Sequence, residues 1–80
     1  MADIDVGADN WEGSASGTFN WNNTTNAAAS ITQDGSNTWP FTSGPPISVA
    51  GGAKQSCQLI EASGSYRYKS NGNPKNVIIS

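Results

Sequence analysis

Histidine is absent from this chain, and cysteine occurs once, at Cys57. The usual proton shuttle near neutral pH and the commonest metal ligand are therefore missing. A Ser/His/Asp set cannot be assembled, because its base is missing. A lone cysteine forms no internal disulfide, so no oxidised framework supports the fold. Cys57 lies in Ser56-Cys57-Gln58-Leu59-Ile60 and reads as a small buried apolar residue of a strand, with no imidazole or adjacent lysine to activate it. Charge is scarce as well: 12% of residues are charged, against roughly 25% in an average soluble domain. The longest unbroken aliphatic run is Val77-Ile78-Ile79, far too short to cross a membrane. Apolar residues never keep helical spacing for three turns. The most helix-like stretch, Asn26-Ala27-Ala28-Ala29-Ser30, is short and runs into β-branched Ile31 and Thr32, so little or no helix is expected.

Eighty residues make one domain, spanning 1–80, that buries about 60 to 65% of the surface its unfolded chain exposes. Three Trp, two Tyr and two Phe are enough large side chains for one compact core. With so few charges the surface falls to the hydroxyl and amide groups of Ser, Thr and Asn, a composition typical of secreted or cell-surface β modules. The chain opens Met1-Ala2-Asp3-Ile4-Asp5, without a basic-apolar-small signal. A cytosolic location is therefore the alternative to a secreted one. Acceptor patterns at Asn22-Asn23-Thr24 and Asn23-Thr24-Thr25 matter only in a eukaryotic secretory pathway.

Period-two alternation recurs along the chain, at Ile4 and Val6, Phe19 and Trp21, Ala29 and Ile31, and Trp39 and Phe41. It continues at Ile47 and Val49, Cys57 and Leu59, Tyr66 and Tyr68, and Val77 and Ile79. These are eight candidate strands. Turn signals separate them at Asp34-Gly35-Ser36-Asn37, Ser43-Gly44-Pro45-Pro46, Gly51-Gly52 and Asn71-Gly72-Asn73-Pro74. Short strands at such intervals predict an all-β fold, a small antiparallel Greek-key sandwich of 7–8 strands. Gly7 to Ser16 reads as a long first loop. Pro40 demotes Trp39-Pro40-Phe41 to a sheet edge or bulge. Trp21, Ile31, Ile47, Val49, Leu59, Tyr66, Val77 and Ile79 are expected to be the most buried residues. Val77-Ile78-Ile79 is apolar on both faces, which suits a strand covered on both sides or an edge awaiting a partner.

The stretch Gly64-Ser65-Tyr66-Arg67-Tyr68-Lys69-Ser70, a loop through Asn73-Pro74 and a closing Asn76-Val77-Ile78-Ile79-Ser80 resemble the C-terminal strand-loop-strand of the cupredoxins. In that family a Gly-x-Tyr-x-Tyr-x-Cys strand leads through a loop bearing His and Met ligands into a final hydrophobic strand. Ser70 stands at the ligand cysteine's position. The resemblance covers residues 64–80 and implies a cupredoxin-like sandwich without the family's copper site, since a type 1 centre needs two imidazoles and a thiolate. Gly-x-Tyr-x-Tyr followed by a strand also occurs in immunoglobulin-like sandwiches, which remain the alternative.

No cofactor is expected, and three residue groups could carry chemistry. Asp3 and Asp5, two apart on a strand, would hold carboxylates roughly 6 to 7 Å apart, within the range glycosidases use. Ile4 and Val6 should face the core, however, which sends both acids to solvent. Asp3, Asp5 and Asp9, with Asn10 and Glu12, supply oxygen ligands for a calcium ion, but the spacing departs from the EF-hand pattern, whose twelfth-position acid would fall on Ser14. Arg67 and Lys69 interleave with Tyr66 and Tyr68, yet alternation puts the cations on the face away from the rings, so no nucleic-acid platform is expected. Trp11 and Trp39, in the polar company of Asn10 and Asn37, are candidates for exposed rings that bind a ligand. The competing reading places all three tryptophans in the core. The leading expectation is a non-catalytic binding or accessory module that recognises a neutral glycan or a protein partner, with no membrane insertion. The alternatives are a structural protein that assembles by strand-edge pairing, through Val77–Ile79 or the Pro40 segment, and a small hydrolase using Asp3 and Asp5. Oligomeric state is left open.

Overall fold

The computed structural model describes residues 2–80. Eight strands follow one another: β1 (Ala2–Asp5), β2 (Asn10–Gly13), β3 (Thr18–Asn22), β4 (Ala29–Gln33), β5 (Ile47–Val49), β6 (Lys54–Gln58), β7 (Gly64–Ser70) and β8 (Asn73–Ile79). They form a three-stranded sheet, β1-β3-β6, and a five-stranded sheet, β2-β8-β7-β4-β5. No helix is present among the described residues, and none is long and apolar enough to cross a membrane. The expected all-β sandwich is thus the architecture. Two edge strands depart from antiparallel pairing: β1 runs parallel to β3, and β2 parallel to β8. The chain changes sheets between β1 and β2, and each of the two strands closes one edge of its own sheet.

Seven of the eight alternating pairs lie on or beside strands. The eighth, Trp39 and Phe41, lies on a segment that makes only an isolated bridge, Phe41 to Leu59. Pro40 cannot donate to a ladder, and it is buried where a strand would be paired. The eighth strand is instead β2, inside the expected first loop. One inward side chain, Trp11, carries it, too little for a visible alternation.

Val77–Ile79 is no edge, because β8 is paired on both sides, by β2 and β7. Val77 and Ile79 are buried and Ile78 is 43% exposed. The actual edges, β1, β2, β5 and β6, are three to five residues long, and short edges resist intermolecular pairing.

Aromatic rings fill the space between the sheets. Phe41 is central, its ring centroid 5.1 Å from Trp39, 5.3 Å from both Trp21 and Tyr68, and 5.9 Å from Phe19. Most contacts are tilted or edge-to-face, the arrangement that ring quadrupoles favour. Seven of the eight expected core residues are buried. Tyr66 is the exception and is half-buried, its hydroxyl donating to the Ala62 carbonyl at 2.8 Å. Tyr68 is fully buried instead. β4 pairs with β7 only from Tyr68 to Ser70, so Tyr66 lies beyond its cover.

Burial pushes the Tyr68 phenol up to about 12, against a smaller opposing effect of the Trp11 indole that donates to it. A raised pKa means that the unfolded chain loses this proton first, near pH 10. Stability from this group is complete below pH 10 and is lost up to about pH 12, by about 3 kcal/mol in all. Tyr68→Phe should flatten that part of the stability–pH curve, measured by urea unfolding between pH 9 and 12.

Candidate functional site

The two sheet faces turned to solvent are the places to look for a site. On the five-stranded sheet, register aligns Asn10 of β2, Asn76 of β8 and Arg67 of β7 in one row across the strands. The next row outward along β8 holds Glu12, Ile78 and Ser65. Asn76 Nδ2 donates to Asn10 Oδ1 at 3.0 Å, so the two amides form a cross-strand bridge. Two depressions meet at Asn76. One, about 400 Å³, is lined by Asn37, Thr38, Ser65, Tyr66, Arg67 and Asn76. The other, about 310 Å³, is lined by Asn10, Trp11, Glu12, Asn76 and Ile78. Together they make a shallow groove across β7, β8 and β2, walled at one end by the segment that follows β4.

The electrostatics of the groove are uneven. Arg67 Nε lies 3.6 Å from Asp34 Oδ2 and Lys69 Nζ 4.0 Å from Asp34 Oδ1, so one carboxylate faces two cations. Neither cation makes a hydrogen bond among the described residues. Glu12 supplies the opposite charge at the far end.

Of the residues singled out from sequence, Asn10, Trp11 and Asn37 line this groove and Trp39 does not. Neither tryptophan presents a free ring. The Trp11 ring turns inward, 4.9 Å from Phe19, and its Nε1 donates to the Tyr68 hydroxyl at 2.8 Å. Trp39 stacks edge-on against Phe41 and donates to the Ser43 carbonyl. The exposed-ring expectation is corrected accordingly: a small domain needs these rings for its core. Asn76 was not among the candidates, while Arg67 was weighed only for a nucleic-acid platform and Ile78 only for strand-edge pairing. Alternation places all three outward, but strand order, invisible in sequence, makes them neighbours.

The three acidic candidates do not converge. Asp3 pairs with Lys54 Nζ at 2.6 Å and accepts from Asn20 at 3.3 Å. Asp5 accepts the Gly7 N–H at 2.7 Å, and Asp9 pairs with Lys75 at 2.6 Å. Among the described residues no three of His, Cys, Asp and Glu gather around one point. The calcium candidate is therefore dispersed into local contacts. The hydrogen bonds from Lys54 and Asn20 hold the pKa of the Asp3 carboxyl below its ordinary value. Asp3 and Asp5 line neither depression of the groove.

The end of the sandwich that carries the β7–β8 connection answers the question of copper. That connection is a two-residue turn: Ser70 is opposite Asn73, and Asn71 and Gly72 have φ of 51° and 81°. Such left-handed pairs are the Asn-Gly hairpin turn that matches strand twist. No ligand-bearing loop fits there. The buried polar residues, Asn23, Ser70 and Lys75, gather at this end, and two of them are committed to the scaffold. Asn23 bridges the β3–β4 and β5–β6 connections, and Lys75 ties the β1–β2 connection to β8 through Gly7 O at 3.2 Å and Asp9. The single thiol, Cys57, is in β6, where burial pushes its pKa up. A donor set without imidazole does not fit a type 1 copper centre.

No protein-family profile matches the sequence, and no curated protein matches it. Among solved structures the chain is similar to a copper(I) amicyanin variant, with a TM-score of 0.65 and 12% identity over 99% of this chain and 81% of that one. Identity that low speaks for fold alone, and fold does not imply function. The chain has a cupredoxin-like fold in which a hydroxyl, an amide turn and a lysine occupy the end where the resemblance of residues 64–80 would put the metal.

Proposed function

We propose that this chain is a non-catalytic, cofactor-free binding module of a secreted or surface protein, and that its ligand is a glycan held in the groove across β7, β8 and β2. One observation carries the reading: the two depressions meet at Asn76, so that amide, hydroxyl, guanidinium and carboxylate groups surround a single apolar platform, Ile78. Sugars present the matching chemistry, hydroxyls on the ring edge and C–H groups on its face. Few convergent polar groups around an apolar patch is the general form of a small-ligand site. The groove is built on strands, so its groups are held in place before a ligand arrives.

Strand-edge assembly is supported less well, because both segments expected to serve as edges are otherwise engaged and the real edges are short. Amide-detected NMR titration with a panel of oligosaccharides tests the glycan reading. Shifts concentrated at Asn10, Asn37 and Asn76 are expected for at least one sugar. Shifts confined to the β7–β8 turn end, or none with any sugar, would sink the proposal.

A further inference from the structure

We propose that the sugar recognised is acidic, a uronate-type unit whose ring carboxylate is taken by Arg67; this rests on the glycan reading above and names its ligand class. Arg67 is well exposed at the groove floor, and its guanidinium makes no hydrogen bond among the described residues. Its one ionic neighbour, Asp34, is 3.6 Å away through Nε, outside hydrogen-bond reach. Arg67 and Lys69 together outweigh Asp34 by one positive charge. The loop-side end of the groove is therefore locally cationic in a chain of net charge -2.

A guanidinium offers two parallel N–H donors that match the plane of a carboxylate, and such pairs are among the stronger and more directional polar contacts. Asn37, Thr38 and Ser65, around the same depression, supply donors and acceptors for the hydroxyls of that sugar unit. Along the groove, Arg67 and Glu12 are two strands and one row apart, on the order of 12 Å from strand spacing and rise. That span takes more than one sugar ring. The second depression, with Ile78, Asn10 and Glu12, can then hold a neighbouring unit by its C–H face and hydroxyls. A carboxylate lying against Glu12 would be repelled, so a uronate unit in the second depression turns its own carboxylate to solvent. The proposed ligand differs from the neutral glycan or protein partner expected from sequence in bearing a negative charge at a defined position.

Calorimetric titration of the whole chain tests this, with trigalacturonate, its methyl ester, a sulfated neutral trisaccharide and triglutamate. Trigalacturonate is expected to bind at least tenfold more tightly than the ester, which has the same skeleton without charge. Arg67→Gln should weaken the acid at least tenfold and the ester by a much smaller factor, while Arg67→Lys should recover part of the loss on the acid. Raising NaCl from 50 to 500 mM should weaken acid binding severalfold and ester binding little. Equal binding of acid and ester, or tighter binding of the sulfated sugar, overturns the carboxylate inference and leaves the glycan reading standing. Triglutamate binding without any sugar binding overturns both. Arg67 points to solvent, so its variants should melt within a few degrees of the parent. If one does not, the Arg67 Nε–H resonance of the unaltered protein decides: it should move further with trigalacturonate than with the ester, and an equal or reversed pattern overturns the inference.

Discussion

Trp21→Ala is expected to destabilise the domain by about 3 to 5 kcal/mol, the range for deleting a large buried aromatic side chain. A chain of this length has roughly 4 to 12 kcal/mol of total stability, so the variant should be largely unfolded in mild urea. Trp21 is fully buried, and its ring lies 5.0 Å from Phe19, 5.3 Å from Phe41 and 5.6 Å from Tyr68. It thus joins a strand of the smaller sheet to the rings that line the larger one. Its indole N–H is buried without a hydrogen-bond partner, a cost the native state already bears. Trp21→Phe removes that orphan donor together with part of the ring and should cost less than half as much as alanine. Urea unfolding followed by far-UV circular dichroism checks both; equal losses for the two variants would show that the indole itself, rather than buried ring volume, carries the stability at this position.

Asn23→Ala should cost about 3 kcal/mol, although it removes a polar side chain from a loop. The Asn23 amide donates to Ala27 O at 2.8 Å and Val49 O at 3.0 Å, and its oxygen accepts from the Thr25 N–H and hydroxyl at 3.1 and 2.7 Å. Alanine leaves buried backbone groups without these partners, at about 1 to 3 kcal/mol each before relaxation. Asn23→Asp is the sharper variant. It turns a donor into a carboxylate oxygen facing two carbonyls, which raises the pKa of the new group above its unfolded value. The variant should be most stable below pH 4, where the protonated acid can still donate, and should lose stability as pH rises through the raised value. Thermal melts at pH 3.5 and 7 decide it; melting points that rise between those pH values by as much as the parent's would refute the role assigned to the amide.

The same residue shows why one end of the molecule is closed to metal chemistry. In Asn23-Thr24-Thr25 it reads as a sugar acceptor, yet the fold buries it at 1% exposure and uses both of its amide atoms. Ser70 and the Asn71-Gly72 turn beside it leave no ligand loop.

Much of this protein is legible along the chain, because a strand needs only its own alternation to declare which side is apolar. Phe19 and Trp21, Ile47 and Val49, and Val77 and Ile79 each do so, and the absence of histidine excludes the copper site without any coordinates. Asn71-Gly72 marks its turn for an equally local reason, since few residues accept left-handed backbone. What lay beyond the sequence depends on contacts between distant segments. β2 shows one inward side chain, and only parallel pairing with β8 makes Asn10–Gly13 a strand and turns Trp11 into the core. Pro40 lies in an alternating segment whose pairing is decided by the neighbours it lacks. The groove is tertiary in the strictest sense: Asn10, Arg67 and Asn76 are each ordinary outward residues, and strand order alone, which has no local signature in side-chain periodicity, sets them in one row.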